Sequence, residues 1–204
     1  MAEFSAKDVQ ALRQATSVGM MDAKKALVAS GGDFDQAVTY LREKGLAATA
    51  KRADRDASEG CIGSYLHHQA GRDVQGVLVY LSSETDFVAK SPEFVETAKD
   101  LAMHIAWGKP DFVTREEIPA ADLAAESDII ANQAKNEGKP DAVIPKIVEG
   151  RLEKYYQDRV LLDQTFVKSD KFDGTVGELV QQLAAKMGEN IAIKSFCRIA
   201  VGEN

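Results

Sequence analysis

The 204 residues include 25 Lys and Arg against 32 Asp and Glu, a net charge of −7. This excludes a nucleic-acid binder that works by bulk charge, because a phosphate backbone demands a clustered basic surface. Hydrophobic residues at 45% and charged residues at 28% are the composition of a globular protein, not of a disordered one.

Ser5 and Asp8 have the spacing of a capping box, and Val9, Leu12 and Ala15 or Thr16 recur at helical intervals, so a first helix runs to about Thr16. A second follows from about Gly19 to Ser30, and Gly31-Gly32 stops it. Asp33 caps a third, with Phe34, Ala37, Val38 and Leu41 apolar and Gly45 at its end. Residues 1–46 thus read as a three-helix domain so small that its core is marginal. Residues 47–59 are rich in Ala and alternating charge without a large apolar side chain. They read as a linker, helical in part.

The period then changes. Ile62, Ser64 and Leu66, then Val74 to Tyr80, have strand character around the turn-like Gln69-Ala70-Gly71, a β-hairpin that opens a second domain over residues 60–204. A helix is expected from Ser91-Pro92 to about Trp107, with Phe94, Ala98, Leu101 and Ile105 on one face. Two long helices follow, about Ala121 to Glu137 and Pro140 to Leu162, and Thr175 with Glu178 caps another that ends at Gly188. A last strand, Ile191 to Val201, closes the chain. The fold class is α+β, a small antiparallel sheet packed with helices.

Val77 to Leu81 form an unbroken apolar run, and since neighbouring strand residues face opposite ways, both sheet faces need cover. The chain's own helices supply one cover; a second copy of the chain is the candidate for the other. Strict alternation along the last strand puts Ile191, Ile193, Cys197, Ile199 and Val201 on one face and Lys194, Phe196 and Arg198 on the other. Cys197 is therefore expected to be buried, under the helices or between two copies. In the second arrangement an intersubunit disulfide forms on oxidation if the Cα atoms lie within about 7 Å.

Chemistry is conspicuously unsupported. Cys61 and Cys197 belong to no CxxC pair, His67, His68 and His104 have no metal-ligand spacing, and no phosphate-binding, dinucleotide-binding or nucleophile-elbow motif occurs. The expectation is a protein that is not an enzyme and carries no cofactor. No apolar run approaches the roughly 18 residues of a membrane span, and Met1-Ala2-Glu3-Phe4-Ser5 lacks the basic-then-apolar order of a leader. A cytoplasmic location, with reduced thiols, is expected.

Two segments are far more distinctive. Leu12-Arg13 followed by Thr16-Ser17-Val18-Gly19-Met20-Met21-Asp22-Ala23-Lys24-Lys25-Ala26-Leu27 resembles the N-terminal signature of the bacterial elongation factor Ts family, and Glu84-Thr85-Asp86-Phe87-Val88-Ala89-Lys90 resembles its core signature. Met103-His104-Ile105-Ala106, Gly138-Lys139-Pro140, Val148-Glu149-Gly150-Arg151 and Gln164-Thr165-Phe166-Val167 extend the likeness through the chain in order. Ser17-Val18, Ala23 and Thr165 depart from the usual Gly-Ala, Cys and Pro. The chain has one core half, as in the short members, which act as homodimers.

The resemblance implies a ubiquitin-associated-like N-terminal domain, a linker and an α+β core. It also implies exchange activity: binding elongation factor Tu, disturbing its magnesium and phosphate site, and releasing GDP without covalent chemistry. Partner contacts carried over are Leu12, Arg13, Gly19, Met20 and Met21 in the bundle, and Thr85, Asp86, Phe87 and Val88 in the core. Lys51 and His67 join them as candidates, although each also suits a solvated surface residue. Phe87 by pattern alone suits an inward-facing anchor; within the Thr-Asp-Phe-Val-Ala match it becomes a wedge. His104 reads as a satisfied core histidine. Two readings from other classes are a ubiquitin-type adaptor, which has no use for the Asp86-Phe87 loop, and a small hydrolase, for which no nucleophile, base and orienter assemble.

Overall fold

The computed structural model describes residues 4–16 and 18–203, so Ser17, one of the departures from the family signature, lies outside the described residues. Its first three helices are α1 (Ala6–Thr16), α2 (Met20–Ala29) and α3 (Phe34–Ala50). The expected caps are present: the Asp8 carboxylate accepts from the Ser5 amide at 2.7 Å, and Asp33 accepts from the Gln36 amide at 2.8 Å. Val9, Leu12, Ala23, Ala26, Leu27, Ala37 and Leu41 fill the small core between the helices.

Helix α3 does not stop at Gly45. It continues to Ala50 because its second half packs on the core, where Gly45 meets the Ala185 methyl and Arg42 pairs with Glu178. A helical stop at glycine is a weak local preference of about 1 kcal/mol, which tertiary contact overrides.

The hairpin strands β1 (Glu59–Gln69) and β2 (Arg72–Ser83) pair antiparallel, and β3 (Ala192–Ala200) joins the far edge of β2. Ala70 and Gly71, both at positive φ (50° and 83°), form the turn, the geometry that matches the right-handed strand twist. After β2 come α4 (Asp86–Ala89), α5 (Pro92–Gly108), α6 (Ala120–Asn136), α7 (Ile144–Arg159) and α8 (Val176–Met187). Helix α7 is shorter than expected. A tight turn at Asp141–Val143 precedes it, and Val160 leaves it in extended conformation to bridge Phe112. Helix α8 carries the full Thr175–Glu178 capping box and ends at Gly188 in left-handed conformation. The mixed α+β class is as expected, and among the described residues no helix is long and apolar enough to cross a membrane.

One sheet face holds the core. Val77, Val79 and Leu81 pack against Phe94, Ala98, Leu101 and Ile105 of α5 and Val180, Leu183 and Ala184 of α8. Strand β1 approaches α5 so closely that a Cβ on Gly63 would lie 2.0 Å from the Ala98 carbonyl oxygen. Glycine is thus required there by space alone.

The opposite face is uncovered. Ile62 and Leu66 of β1, Leu78 of β2 and Ile199 of β3 are each more than half exposed. Here the expected alternation fails. Lys194 is an extra residue in β3 opposite the Tyr80/Leu81 step, and such a bulge reverses the facing of everything beyond it. Ile191 and Ile193 point into the core and Phe196 packs against it, whereas Cys197, cross-strand partner of Leu78, is exposed with Ile199 and Val201. Cys197 is therefore not under the helices.

Candidate functional site

The sheet places its most accessible aromatic at one end. Strand β2 finishes at Ser83 and the chain turns through Glu84-Thr85 into the single-turn helix α4. Thr85 is its N-cap: the hydroxyl accepts from the Val88 amide at 3.3 Å. Capping leaves Asp86 and Phe87 in the first turn, facing out. Val88 and Ala89 face in, buried in the main core. Phe87 is 83% exposed, so it anchors nothing within the chain, and the inward-facing alternative is rejected by the geometry.

Both flanks of this tip are braced. Lys90 donates to the Asp86 carboxylate at 2.6 Å, one turn on, and this bond first, then the ammonium charge, holds the Asp86 carboxyl below its ordinary range and raises Lys90. On the other flank the Glu189 carboxylate accepts from the Glu84 and Thr85 amides at 3.0 and 3.1 Å and from the Thr85 hydroxyl at 2.6 Å. The Glu84 carboxylate in turn accepts from the Asn190 amide at 2.6 Å and pairs with Arg55 at 3.5 Å. The Asn190 side-chain amide donates to the Ala53 and Arg55 carbonyls at 3.0 and 2.8 Å. Residues 53–55, the loop at 84–85 and the turn at 189–190 are thus tied at one node.

The other sequence-indicated residues fall into separate groups. Met20 and Met21 open α2 and are 48% and 64% exposed, so neither is a core residue, and exposed Arg13 and Gly19 belong to the same bundle. Leu12 is the correction: it is fully buried in the bundle core. Helical spacing with Val9 directs it inward, so it supports a surface patch from beneath and presents nothing itself. Val88 likewise anchors the loop and is not offered to a partner. Lys51 caps the C-terminus of α3, exposed, in the segment that leads to the 53–55 tie. His67 is not brought to the loop. It lies eight residues along β1 from Glu59, about 27 Å at roughly 3.4 Å per residue, with its Nδ1 3.0 Å from the Tyr65 hydroxyl.

His104 is fully buried. Its Nδ1 accepts from the Val167 amide at 3.2 Å and its Nε2 lies 3.0 Å from the Gln164 side-chain oxygen, which assigns the proton to Nε2. Burial lowers its pKa, partly opposed by Gln164. This is a satisfied core histidine, as the sequence suggested. Glu189 and Asn190 were not found from sequence. Their partners lie more than a hundred positions away, and no local pattern marks such a bond.

A protruding, pre-set aromatic is a feature suited to contact with another surface. Among the described residues no cluster of three His, Cys, Asp or Glu is placed to hold a metal ion. Comparison with known sequences gives the contact a family. The profile described as Elongation factor TS matches residues 3–203. Elongation factor Ts of Desulforamulus reducens is 49% identical over 203 residues, covering 100% of this chain and 91% of that one. That of Solidesulfovibrio magneticus is 50% identical over 204 residues and covers 100% of both chains, and that of Moorella thermoacetica is 48% identical over 200 residues, 98% of this chain and 96% of that one. The chain belongs to the elongation factor Ts family of translation elongation factors.

Proposed function

We propose that the protein is a guanine-nucleotide exchange factor for elongation factor Tu, and that the Asp86-Phe87 tip performs the exchange. The supporting observation is the 83% exposure of Phe87 on a loop held on one side by Glu189 and on the other by the burial of Val88 and Ala89. A large apolar side chain held in water at a rigid tip costs free energy in the free protein and returns it only in a complex. Phe87 wedges between helices of the GTPase, and the loop carrying Asp86 displaces the magnesium-binding region. A magnesium ion with its phosphates demands near-ideal oxygen geometry, so a small displacement weakens it. No covalent step occurs, and the protein consumes nothing.

The bundle of residues 1–46 is assigned to docking, with Met20, Met21 and Arg13 as its contact patch; Met adapts well to an uneven apolar surface. Residues 47–59 connect it to the core of residues 60–204, and Lys51 faces the partner from there. The uncovered sheet face is assigned to a second copy of the chain. Its support is the group of exposed apolar residues Ile62, Leu66, Leu78 and Ile199 on that face; a two-fold pair buries the same patch on both copies. In such a pair Cys197 lies in the interface and can meet its symmetry mate. A single chain has His67 and Phe87 at opposite ends of the sheet, so two copies are also the means of bringing one of each to the same partner.

The deciding experiment is linkage. A factor that weakens GDP binding must itself be bound more weakly when GDP is present, by the same ratio. Titration into elongation factor Tu without nucleotide, with GDP, and with GDP plus Mg²⁺ is expected to give progressively weaker binding, together with faster release of fluorescent GDP. Equal affinity in all three titrations refutes exchange, even if the complex is tight.

A further inference from the structure

The braces on the two flanks of the Asp86-Phe87 tip are unlike each other. Lys90 reaches Asp86 from one turn away within the same short helix and is largely in water, so it moves with the tip and cannot fix it to the body of the protein. Val88 and Ala89 fix the C-terminal side by burial. On the N-terminal side the connections to the body come through Glu189 and Glu84, with the buried Ser83 hydroxyl donating to the Thr85 carbonyl at 3.0 Å.

Glu189 follows the left-handed Gly188 that ends α8, and its carboxylate takes three donors from two consecutive residues. One oxygen accepts the Glu84 and Thr85 amides, and the other accepts the Thr85 hydroxyl. That hydroxyl is the same one that caps α4 by accepting from the Val88 amide. Fixing the hydroxyl proton on Glu189 directs its lone pairs to the amide. Glu189 therefore sets both the path of the backbone into the tip and the first turn that aims Phe87.

We infer that Glu189 is a positioning residue for nucleotide exchange: it pre-orders the Thr85 cap so that Phe87 is presented at a fixed angle before the partner arrives. The inference rests on the exchange reading given above. Its physical basis is that an ordered contact residue avoids the entropy loss of ordering on binding, and that a misplacement of about 1 Å in such an element can cost on the order of a hundredfold in rate. The role is one of reach and lone-pair direction. The ionised form matters because it leaves both oxygens free to accept, one for the two amides and one for the hydroxyl.

The test uses the full chain and elongation factor Tu loaded with fluorescent GDP. Maximal release rate, the concentration giving half of it, and the unfolding midpoint are recorded for the wild type, Glu189→Gln, Glu189→Asp, Glu189→Ala, Phe87→Ala and Glu189→Ala/Phe87→Ala. Glu189→Gln keeps the reach and an oxygen for the two amides but puts a donor-only NH2 group where the carboxylate oxygen accepts the Thr85 hydroxyl, and is expected to lose about threefold or more in maximal rate with half-saturation little changed. Glu189→Asp keeps the charge but withdraws the carboxylate by about 1.5 Å, and is expected to lose about tenfold or more in maximal rate with half-saturation little changed. Glu189→Ala should lose at least as much, and the double variant should be no slower than Phe87→Ala alone, because Glu189 acts through Phe87. Should Glu189→Ala not fold, the Gln and Asp pair still decides. A wild-type maximal rate in either the Gln or the Asp variant, or losses that multiply in the double variant while Phe87→Ala is slow, overturns the positioning role only. Wild-type release by Phe87→Ala overturns the exchange reading of the loop, and the inference falls with it.

Discussion

Replacing Phe87 with Ala separates the contact from the fold more cleanly than any other change in this chain. At 83% exposure the ring leaves roughly 150 Å² of apolar surface in water. The small remainder that touches the protein contributes little to stability, and a surface truncation of this kind normally stays within about 0.5 kcal/mol. Complete burial of the same surface in a partner would contribute about 4 kcal/mol at about 25 cal/mol per Å². Truncation of buried anchors at interfaces commonly costs about 2–4 kcal/mol, equivalent to roughly 30- to 1000-fold at about 1.4 kcal/mol per factor of ten. The expected result is an unchanged unfolding midpoint with GDP release from elongation factor Tu slowed by that factor at equal protein concentration. Wild-type release refutes the wedge. A collapsed unfolding midpoint refutes the premise that Phe87 is free of the core.

Gly63→Ala should lower stability by about 2–3 kcal/mol, since the new methyl meets the Ala98 carbonyl carbon and oxygen and α5 must shift; a midpoint drop of about 5–10 °C is expected for a chain of this length, and an unchanged midpoint contradicts the close approach. Leu78→Asp puts a carboxylate at the centre of the uncovered sheet face, beside Cys197. Light scattering should report a dimer for the wild type and a folded monomer for the variant, and a wild-type monomer at micromolar concentration removes the second-copy assignment. His104 should give an acid-sensitive share of stability. Burial lowers its pKa in the folded state, so the unfolded chain takes up the proton first. The contribution is fully present above the ordinary histidine value of about 6.5 and declines as pH falls below it toward the depressed folded value. The decline in unfolding midpoint between pH 7 and pH 5.5 should be smaller in His104→Asn, and equal declines contradict the assignment.

Sequence carried the parts of this fold that local chemistry decides. Thr175 and Glu178 make their capping box within four residues, Ala70-Gly71 make the hairpin turn by backbone freedom, and Phe94, Ala98, Leu101 and Ile105 follow from helical period. The misses all depend on distant partners. Lys194 bulges because of how β3 registers against β2, and no alternation within β3 reveals that Cys197 ends on the outer face. Helix α3 outlasts Gly45 because Ala185 and Glu178 lie beside it. At the candidate site the motif marked Thr85 to Val88 as a group, yet gave Leu12 and Val88 the same standing as Met20 and Phe87. Burial divides them, since a residue that supports a contact and one that makes it are equally part of a motif.

The same division bears on how a contact protein produces exchange at all. A ligand shifts an equilibrium only by the difference between its affinities for the two states. On the proposed reading the Met20-Met21 patch touches a surface that is the same with or without GDP, so by itself, without connection to the tip, it adds affinity and no acceleration. Acceleration must come from the tip, whose contacts exist only when the nucleotide site is distorted. For the docking energy to favour that distortion, the patch and the tip must belong to one stiff body. The chain makes connections between them at two places. Helix α3 leaves the bundle without a break and locks onto α8 at Gly45 and Arg42, and the residues that follow are tied through Asn190 and Glu84 to the loop itself. A flexible joint at either place would let the bundle dock and the tip stay idle, leaving a protein that binds elongation factor Tu with GDP still in place.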